Sequence, residues 1–546
     1  MSAVIQRVRR TIDESPQLTH WVERLHLLVY GRPDSDDLRR YEQEHWQPTP
    51  DDRPRHWQTV AFALSGILGG LVIAASAPVW RLAVPTWRIT IPGIAHPGSS
   101  MTSTLWFLLG LILLGIGWLG LILRAGRIGD PRRALIVVGV VIALWAVPVS
   151  LGPPLLSNDV YSYVAQGEMA SRGIDPGSNG PAALGRNDWT SGADPVWRAA
   201  AAPYGPVAVF TSRTVVEAAG HDPALALWFY RAVVIMGIAM AAVGVSLIAL
   251  RSGIRPAVAV AIGIGNPIVI LHLIGGAHND AVMFGFLAMG LAAAQRGRRV
   301  LAVALLIAAT AIKIPAALGL VYLGWCWDGA VATTRRRILT TAGVIGSTIV
   351  AIALGCVLMG MGPGWLTALT STGKVNDTYS PTTKLGFSIS EILGAVGIGV
   401  DGATLTAGVR AIGLLAVVVL ALIVMLRSPR IGVVRATGIM LVAYVILGPV
   451  IWPWYLAAGF ALLAACGLGR YQPASLVVCL AASWFVWPTS VVSIQEFGGG
   501  YQHLRGLGVV LLVAALAWAA QRFASRWERR THPEMGPMMA EAVERG

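Results

Sequence analysis

Uninterrupted apolar runs about as long as a bilayer is thick limit what this chain can become. Residues 134–152, ALIVVGVVIALWAVPVSLG, are one of them and contain no charged side chain. Some 20 such residues cross the ~30 Å hydrocarbon core as a helix, and in lipid only helices and closed barrels satisfy every backbone group internally. Comparable runs fall at 58–80, 102–124, 224–250, 256–272, 278–295, 299–327, 338–361, 404–426, 434–451, 453–468, 473–491 and 504–522. The fold class they predict is an all-α polytopic membrane protein. Composition agrees: 13% of residues are charged, against ~25% in ordinary soluble domains, and the mean hydropathy is +0.63.

The net charge of +14 is spread over many short loops, a pattern that disfavours nucleic acid as a partner and suits the cytoplasmic bias of Lys and Arg in membrane proteins. Placing Arg124, Arg251, Arg296, Arg427, Arg470 and their neighbours inside puts the N-terminus inside, and an even number of spans then puts the C-terminus inside as well. One conflict arises. If 299–327 crossed once, Arg335-Arg336-Arg337 would lie outside. Two short passes turning near Lys313-Ile314-Pro315 restore the pattern, and a proline breaks a helix at such a point. This gives about 14 transmembrane helices. Residues 1–57 read as a cytoplasmic arm without a cleaved signal peptide, 58–522 as the membrane domain and 523–546 as a cytoplasmic tail. The large outer segments are then 153–222 and 362–403, with 81–101 between the first two spans. The cysteines (326, 356, 466, 479) all lie in apolar runs, so no disulfide framework is expected.

The polar chemistry converges on the outer face. Ser157-Asn158-Asp159-Val160-Tyr161-Ser162-Tyr163 opens the long loop just past the third run. A carboxylate at that depth, followed by aromatics, suits general-base work on a substrate arriving through lipid, while Ser, Asn and Asp are also helix N-caps. Residues 157–172 can form an amphipathic helix lying along the membrane surface, with Val160, Tyr163, Val164 and Gly167 on one face. Gly173-Ile174-Asp175-Pro176-Gly177 ends it, and a second surface helix starts at Pro203-Tyr204-Gly205-Pro206 and runs to about Ala219. Asp188 and Asp194 read as solvated loop acids.

Three further groups stand at membrane boundaries. Gly275-Gly276-Ala277-His278-Asn279-Asp280 can bond sugar hydroxyls or phosphate oxygens, or cap a helix. Lys313 is an ammonium between two apolar half-spans, suited to a lipid phosphate or to snorkelling at the interface, and Arg231 is a second cation for that phosphate. Trp452-Pro453-Trp454-Tyr455, with Trp484 and Trp487-Pro488, make an aromatic layer of the kind found at interfaces or stacked on sugars. No glycine-rich phosphate loop occurs, and no Cys/His spacing suits zinc, so neither a nucleotide nor a metal cofactor is expected. An enzyme built this way needs an activated donor already in the membrane.

Ser157–Tyr163 with Ala165-Gln166-Gly167, Gly173-Ile174-Asp175-Pro176, Pro195-Val196-Trp197, Ala202-Pro203-Tyr204-Gly205-Pro206, Asn266-Pro267 and His272–Asn279 resemble the actinobacterial polyprenol-phosphomannose-dependent α-1,6-mannosyltransferases. The resemblance runs over roughly residues 60–520, with Gly177 where that family often has an aromatic. It implies a GT-C glycosyltransferase fold with a catalytic first outer loop, and Asp159 as the catalytic base. It further implies inverting transfer of mannose from polyprenyl-phosphomannose to a growing α-1,6-mannan of the lipomannan and lipoarabinomannan core, at the outer face of the plasma membrane and without a required cofactor. The expected substrate-binding set is Tyr161, Tyr163, Gln166, Asp175, Tyr204, Arg231, His278, Asn279, Asp280, Lys313, Trp452 and Trp454. Membrane lipids, the lipid-linked donor and the mannan acceptor are the implied partners. Two other readings stand beside this one: a transferase for another polyprenyl-phosphate sugar such as arabinofuranose, and a lipid-linked sugar flippase.

Overall fold

A computed structural model describes residues 56–76, 101–329, 331–370, 375–376, 378–486 and 501–531, with side chains to 525. Residues 1–55 of the arm expected to be cytoplasmic, residues 81–100 of the segment expected outside, Trp487-Pro488 and the end of the tail lie outside the described residues. Among the described residues all regular structure is helical. Seven helices are long and apolar enough to cross a membrane, which makes this a membrane protein. They include α1 (His56–Ser76), α2 (Met101–Ala125) and α3 (Pro131–Leu151). The remaining apolar runs fold as shorter helices, each below the ~20 residues that a perpendicular crossing takes.

After α3 the long loop carries α4 (Asp159–Ser171), three single-turn helices and α5 (Pro206–Ala218) before α6 (Pro223–Arg251) returns to the bundle. The second surface helix falls where the sequence places it. The first corrects the sequence reading: every residue of α4 from Val160 to Ala170 is buried. Its small residues, Ser162, Ala165, Gly167 and Ala170, let neighbouring elements close over the side that a membrane-surface helix would turn to water. Its one buried acid, Glu168, is neutralised within the loop by Arg172 at 2.7 Å and His221 Nδ1 at 2.7 Å.

The run 256–272 is also not one helix. Helix α7 (Pro256–Gly263) stops before Asn266-Pro267, and the chain resumes as a wider π-helical turn over Val269–Gly275. Proline removes a ladder amide there, and the Asn266 side chain mends the gap: Nδ2 donates to Gly263 O at 2.9 Å while Oδ1 accepts from Val269 N at 2.9 Å. Helix α8 (Asp280–Gln295) follows.

Helices α9 (Arg299–Thr310) and α10 (Ala317–Cys326) are separated by the break expected at Lys313-Ile314-Pro315, where Lys313 is extended (φ −150, ψ 123). The chain doubles back here. A Cβ placed on Gly319 of α10 would stand 3.2 Å from Leu306 Cδ2 of α9, an approach that a straight continuation of the helix would not allow. Beyond α11 (Thr334–Leu358), the segment 362–403 holds α12 (Pro381–Ala395), followed by α13 (Gly402–Ile431), α14 (Val433–Leu447), α15 (Pro453–Ala465), α16 (Gln472–Ala482) and α17 (Gln502–Thr531).

Several of the arginines that set the charge bias have a second job. Arg255 donates to Gly126 O, Ile128 O and Gly129 O, Arg337 to Trp325 O, Gly329 O and Ala332 O, and Arg435 to Cys466 O and Gly467 O. These carbonyls lie at helix C-termini or in the turns after them, where the last turns leave acceptors without intrahelical partners and favour cations.

Candidate active site

Helix α4 begins at Asp159 itself. Asn158 takes the N-cap position but makes no side-chain cap bond, and the Asp159 amide donates to Ser157 Oγ at 3.1 Å. The Asp159 carboxylate caps nothing. Its Oδ2 stands 3.5 Å from His278 Nδ1, and the side chain is 21% exposed. Withdrawal from water lifts its pKa from 3.8 to about 6, with Lys313 and the Ser157 hydroxyl pulling it down and Asp280 and Asp194 pushing it up. Burial disfavours the charged form, and a neighbouring ammonium restores part of the loss.

His278 reaches Asp159 because the π-helical turn delivers the chain into a bend at Ala277, which takes a left-handed φ of +53 that only glycine adopts freely. The ring is fully buried and stacked on Trp454, with centroids 3.8 Å apart and planes at 19°. Trp452 extends the stack, 5.1 Å from Trp454 and nearly parallel to it at 4°. Tyr163 Oη lies 3.4 Å from His278 Nδ1, so both the acid and the phenol address the same nitrogen. On the far side His278 Nε2 and both amide atoms of Asn279 are buried with no hydrogen-bond partner among the described residues. Such atoms are uncommon in folded proteins, and a ligand's hydroxyls would satisfy them. Asn279 occupies the N-cap position of α8 without a cap bond, which leaves its amide for that use.

The cation of the site is Lys313. Its ammonium meets the Asp280 carboxylate at 2.8 and 2.6 Å and lies 4.2 Å from the centre of the Tyr455 ring and 5.8 Å from that of Tyr204. Tyr204 is brought in by its neighbour. A Cβ on Gly205 would stand 2.4 Å from Ala311 O, so only glycine lets this segment lie against the end of α9. Tyr163 packs edge-on against Tyr204 at 5.4 Å and lies tilted by 34° against Tyr230, also at 5.4 Å.

The remaining expected residues go elsewhere. Tyr161 is buried and faces Gly192, whose Cβ position is 2.3 Å from the Tyr161 ring. Gln166 is buried on α4. Asp175 is bonded into the loop framework: Oδ1 accepts from Gly177 N at 2.8 Å, and Oδ2 from Ser178 Oγ at 2.7 Å and Gly362 N at 3.1 Å, joining the segments 153–222 and 362–403. Asp194, read as a solvated acid, caps a single-turn helix through Val196 N. Arg231, offered as a phosphate ligand, is 3% exposed and donates to the backbone oxygens of Ser150, Gly152 and Gly275. Tyr230, which nothing in the sequence marks, belongs to the cluster, and so does Tyr455, expected as part of the aromatic layer but not as a substrate-binding residue. The one signal for Tyr455 was its place directly after Trp452-Pro453-Trp454. Among the described residues no three His, Cys, Asp or Glu side chains gather in a way that could hold a metal ion.

Comparison with known proteins follows the same division of the chain. Residues 59–329 match a family model described as alpha-(1->6)-mannopyranosyltransferase, N-terminal domain, and residues 382–520 match one described as MptB C-terminal domain. A probable alpha-(1->6)-mannopyranosyltransferase of Mycolicibacterium smegmatis is 30% identical over 404 residues, 67% of this chain and 70% of the relative. Alpha-(1->6)-mannopyranosyltransferase B of Corynebacterium glutamicum is 28% identical over 87% of this chain and 83% of its own length. Alpha-(1->6)-mannopyranosyltransferase A of Mycobacterium tuberculosis is 29% identical over 70% and 73%.

Proposed function

This chain belongs to the alpha-(1->6)-mannopyranosyltransferase family of actinobacteria, and on that premise we propose that it is an inverting transferase drawing mannose from polyprenyl-phosphomannose and adding it to an α-1,6-mannan acceptor. The active site faces the outer side of the plasma membrane, in a GT-C arrangement of about 14 crossings to which the short helices contribute, with both termini inside.

Asp159 is the general base. With a pKa near 6 it is ionised at neutral pH yet more basic than an ordinary carboxylate, the compromise that proton abstraction favours. It takes the proton of the acceptor's 6-hydroxyl as that oxygen bonds to the mannosyl C1. The C1–O bond to the lipid phosphate breaks on the opposite face, and a phosphate leaves without needing a proton from the enzyme. Charge grows on that phosphate, and Lys313, ringed by Tyr204 and Tyr455, is the cation placed to stabilise it. His278 and Asn279 bond sugar hydroxyls, and the Trp452–Trp454 stack lines the route of a sugar or isoprenoid. On this reading the cation the leaving phosphate meets is Lys313, shared with Asp280, and no metal cofactor is called for.

The observation that carries this reading is a carboxylate of raised pKa within 3.5 Å of His278 and in the field of Lys313. Membranes bearing the protein, given polyprenyl-phosphomannose and a short α-1,6-mannoside, should lengthen the mannoside, and Asp159→Asn should abolish that. Elongation from a polyprenyl-phosphate arabinofuranose donor alone would refute the mannosyl assignment, and movement of the donor across vesicles without transfer would point to a flippase.

A further inference from the structure

Arg231 sits near the start of α6 and touches neither Asp159 nor His278 through any hydrogen bond described above, yet its guanidinium joins the two segments that carry them. One side of the fork holds Ser150 O and Gly152 O, the last acceptors of α3, with Gly152 at 2.9 Å. The other side reaches Gly275 O at 3.4 Å. That carbonyl is shared, since Leu155 N also donates to it at 3.0 Å. Gly275 O is therefore a common anchor for Arg231 and for the segment leading to Asp159.

From this anchor the two segments diverge in the same way. Leu156 takes φ +63 before Asp159, and Ala277 takes φ +53 before His278. Neither residue is glycine, so both bends need an external constraint to persist. We propose that Arg231 is a positioning residue for the transfer: it clamps the end of α3 to Gly275 and thereby fixes Asp159 against His278. The proposal rests on Asp159 being the base. A planar guanidinium suits the role because it offers several donors in one fixed fork, whereas a lysine ammonium holds as a single point.

The clamp explains why a cation is buried beside a site for a lipid phosphate without being a ligand for it. The helix-end carbonyls, with the Trp228 ring 5.5 Å away, provide its surroundings. Arg255 and Arg435 satisfy helix ends in the same manner, but Arg231 does so between two segments that each deliver a functional side chain.

The test is a kinetic cycle with polyprenyl-phosphomannose and an α-1,6-mannoside, using R231K, D159N and the double variant. R231K should lower kcat by about 10- to 100-fold, the scale of loss from a misplaced catalytic group, with the donor KM within about 3-fold of the parent. The double variant should be no slower than D159N, because a clamp without its base has nothing left to position. Guanidinium ion added to R231G should restore part of the turnover, which separates lost positioning from a failure to fold. A raised donor KM at unchanged kcat would make Arg231 a phosphate ligand and overturn the proposal, as would additive losses in the double variant or no rescue by guanidinium. Near-normal turnover by D159N would remove the base assignment instead, and the same cycle against His278→Gln would then decide the clamp.

Discussion

Lys313 and Asp280, 33 residues apart in sequence, form a two-pronged ion pair at 2.8 and 2.6 Å, with side chains 13% and 3% exposed. The expectation of a lone ammonium waiting for phosphate is thereby refined. The lysine is already neutralised, and an arriving phosphate has to share it with a carboxylate. Breaking one side of a buried pair leaves an uncompensated charge, at a cost of about 3–5 kcal/mol. Lys313→Met should therefore lower both thermal stability and turnover. Adding Asp280→Asn should recover most of the stability and none of the turnover. Thermal unfolding in detergent, read beside turnover, separates the two roles, and recovery of both in the double variant would make the pair purely structural.

Asp159→Asn keeps size and most polarity while removing basicity, so turnover should fall about 10²- to 10⁴-fold. In the parent protein kcat/KM should rise with pH, reach half its maximum near the Asp159 pKa of about 6, and level off above it. An acid limb unchanged in Asp159→Glu and centred well below 5 would assign the titration to another group.

The raised pKa also has a sign for stability. A carboxyl at 3.8 when unfolded and about 6 when folded favours the native state least when ionised, so its penalty is absent below pH ~3.8, grows between the two values and is complete above pH ~6. At 1.36 kcal/mol per unit the full penalty is about 3 kcal/mol. Asp159→Asn should then raise the thermal midpoint at pH 7.5 by several degrees and leave it nearly unchanged at pH 4. A midpoint that falls at pH 7.5 would contradict this balance.

Asn279 gives the opposite pairing of effects. Its buried amide has no partner among the described residues, so Asn279→Ala removes no hydrogen bond seen there, and stability should change by less than about 1 kcal/mol. If the amide bonds a sugar hydroxyl, kcat/KM should fall about 10-fold or more. Parallel measurement of unfolding and kinetics decides it, and a large loss of stability with normal kinetics would make Asn279 a framework residue.

Much of the fold could be read locally. The apolar runs gave the membrane class, and Pro315, together with the charge conflict at Arg335–Arg337, located the reversal between α9 and α10. Asp159, His278 and Lys313 could be singled out because polar groups are costly at membrane boundaries. What escaped the sequence depends on distant partners. Nothing near Arg231 announces that Ser150, Gly152 and Gly275 will surround it. Nothing near Asp175 announces Gly362. The amphipathic pattern of 157–172 was real as a pattern, but burial on every side of α4 is decided by α5 and the loop folded over it. Tyr455 was hidden for the same reason, since it becomes part of the site only when α15 meets the bend at Lys313.

The two arms that meet at that bend are short. Helix α9 has 12 residues and α10 has 10, or roughly 18 and 15 Å of helix, against a ~30 Å hydrocarbon layer. With Arg298 and Arg299 at one surface and the helix running straight across, Lys313 would stop on the order of 10 Å short of the other. On the proposed reading the reaction centre is then a sunken well. A lipid-borne sugar would enter it sideways without lifting its tail from the bilayer, whereas a polymer would dip its tip down from water. Such a well would grip only the last few units of the acceptor. A product one unit longer would present the same tip again, so the length of the finished polymer would be set by something other than this chain's own grip.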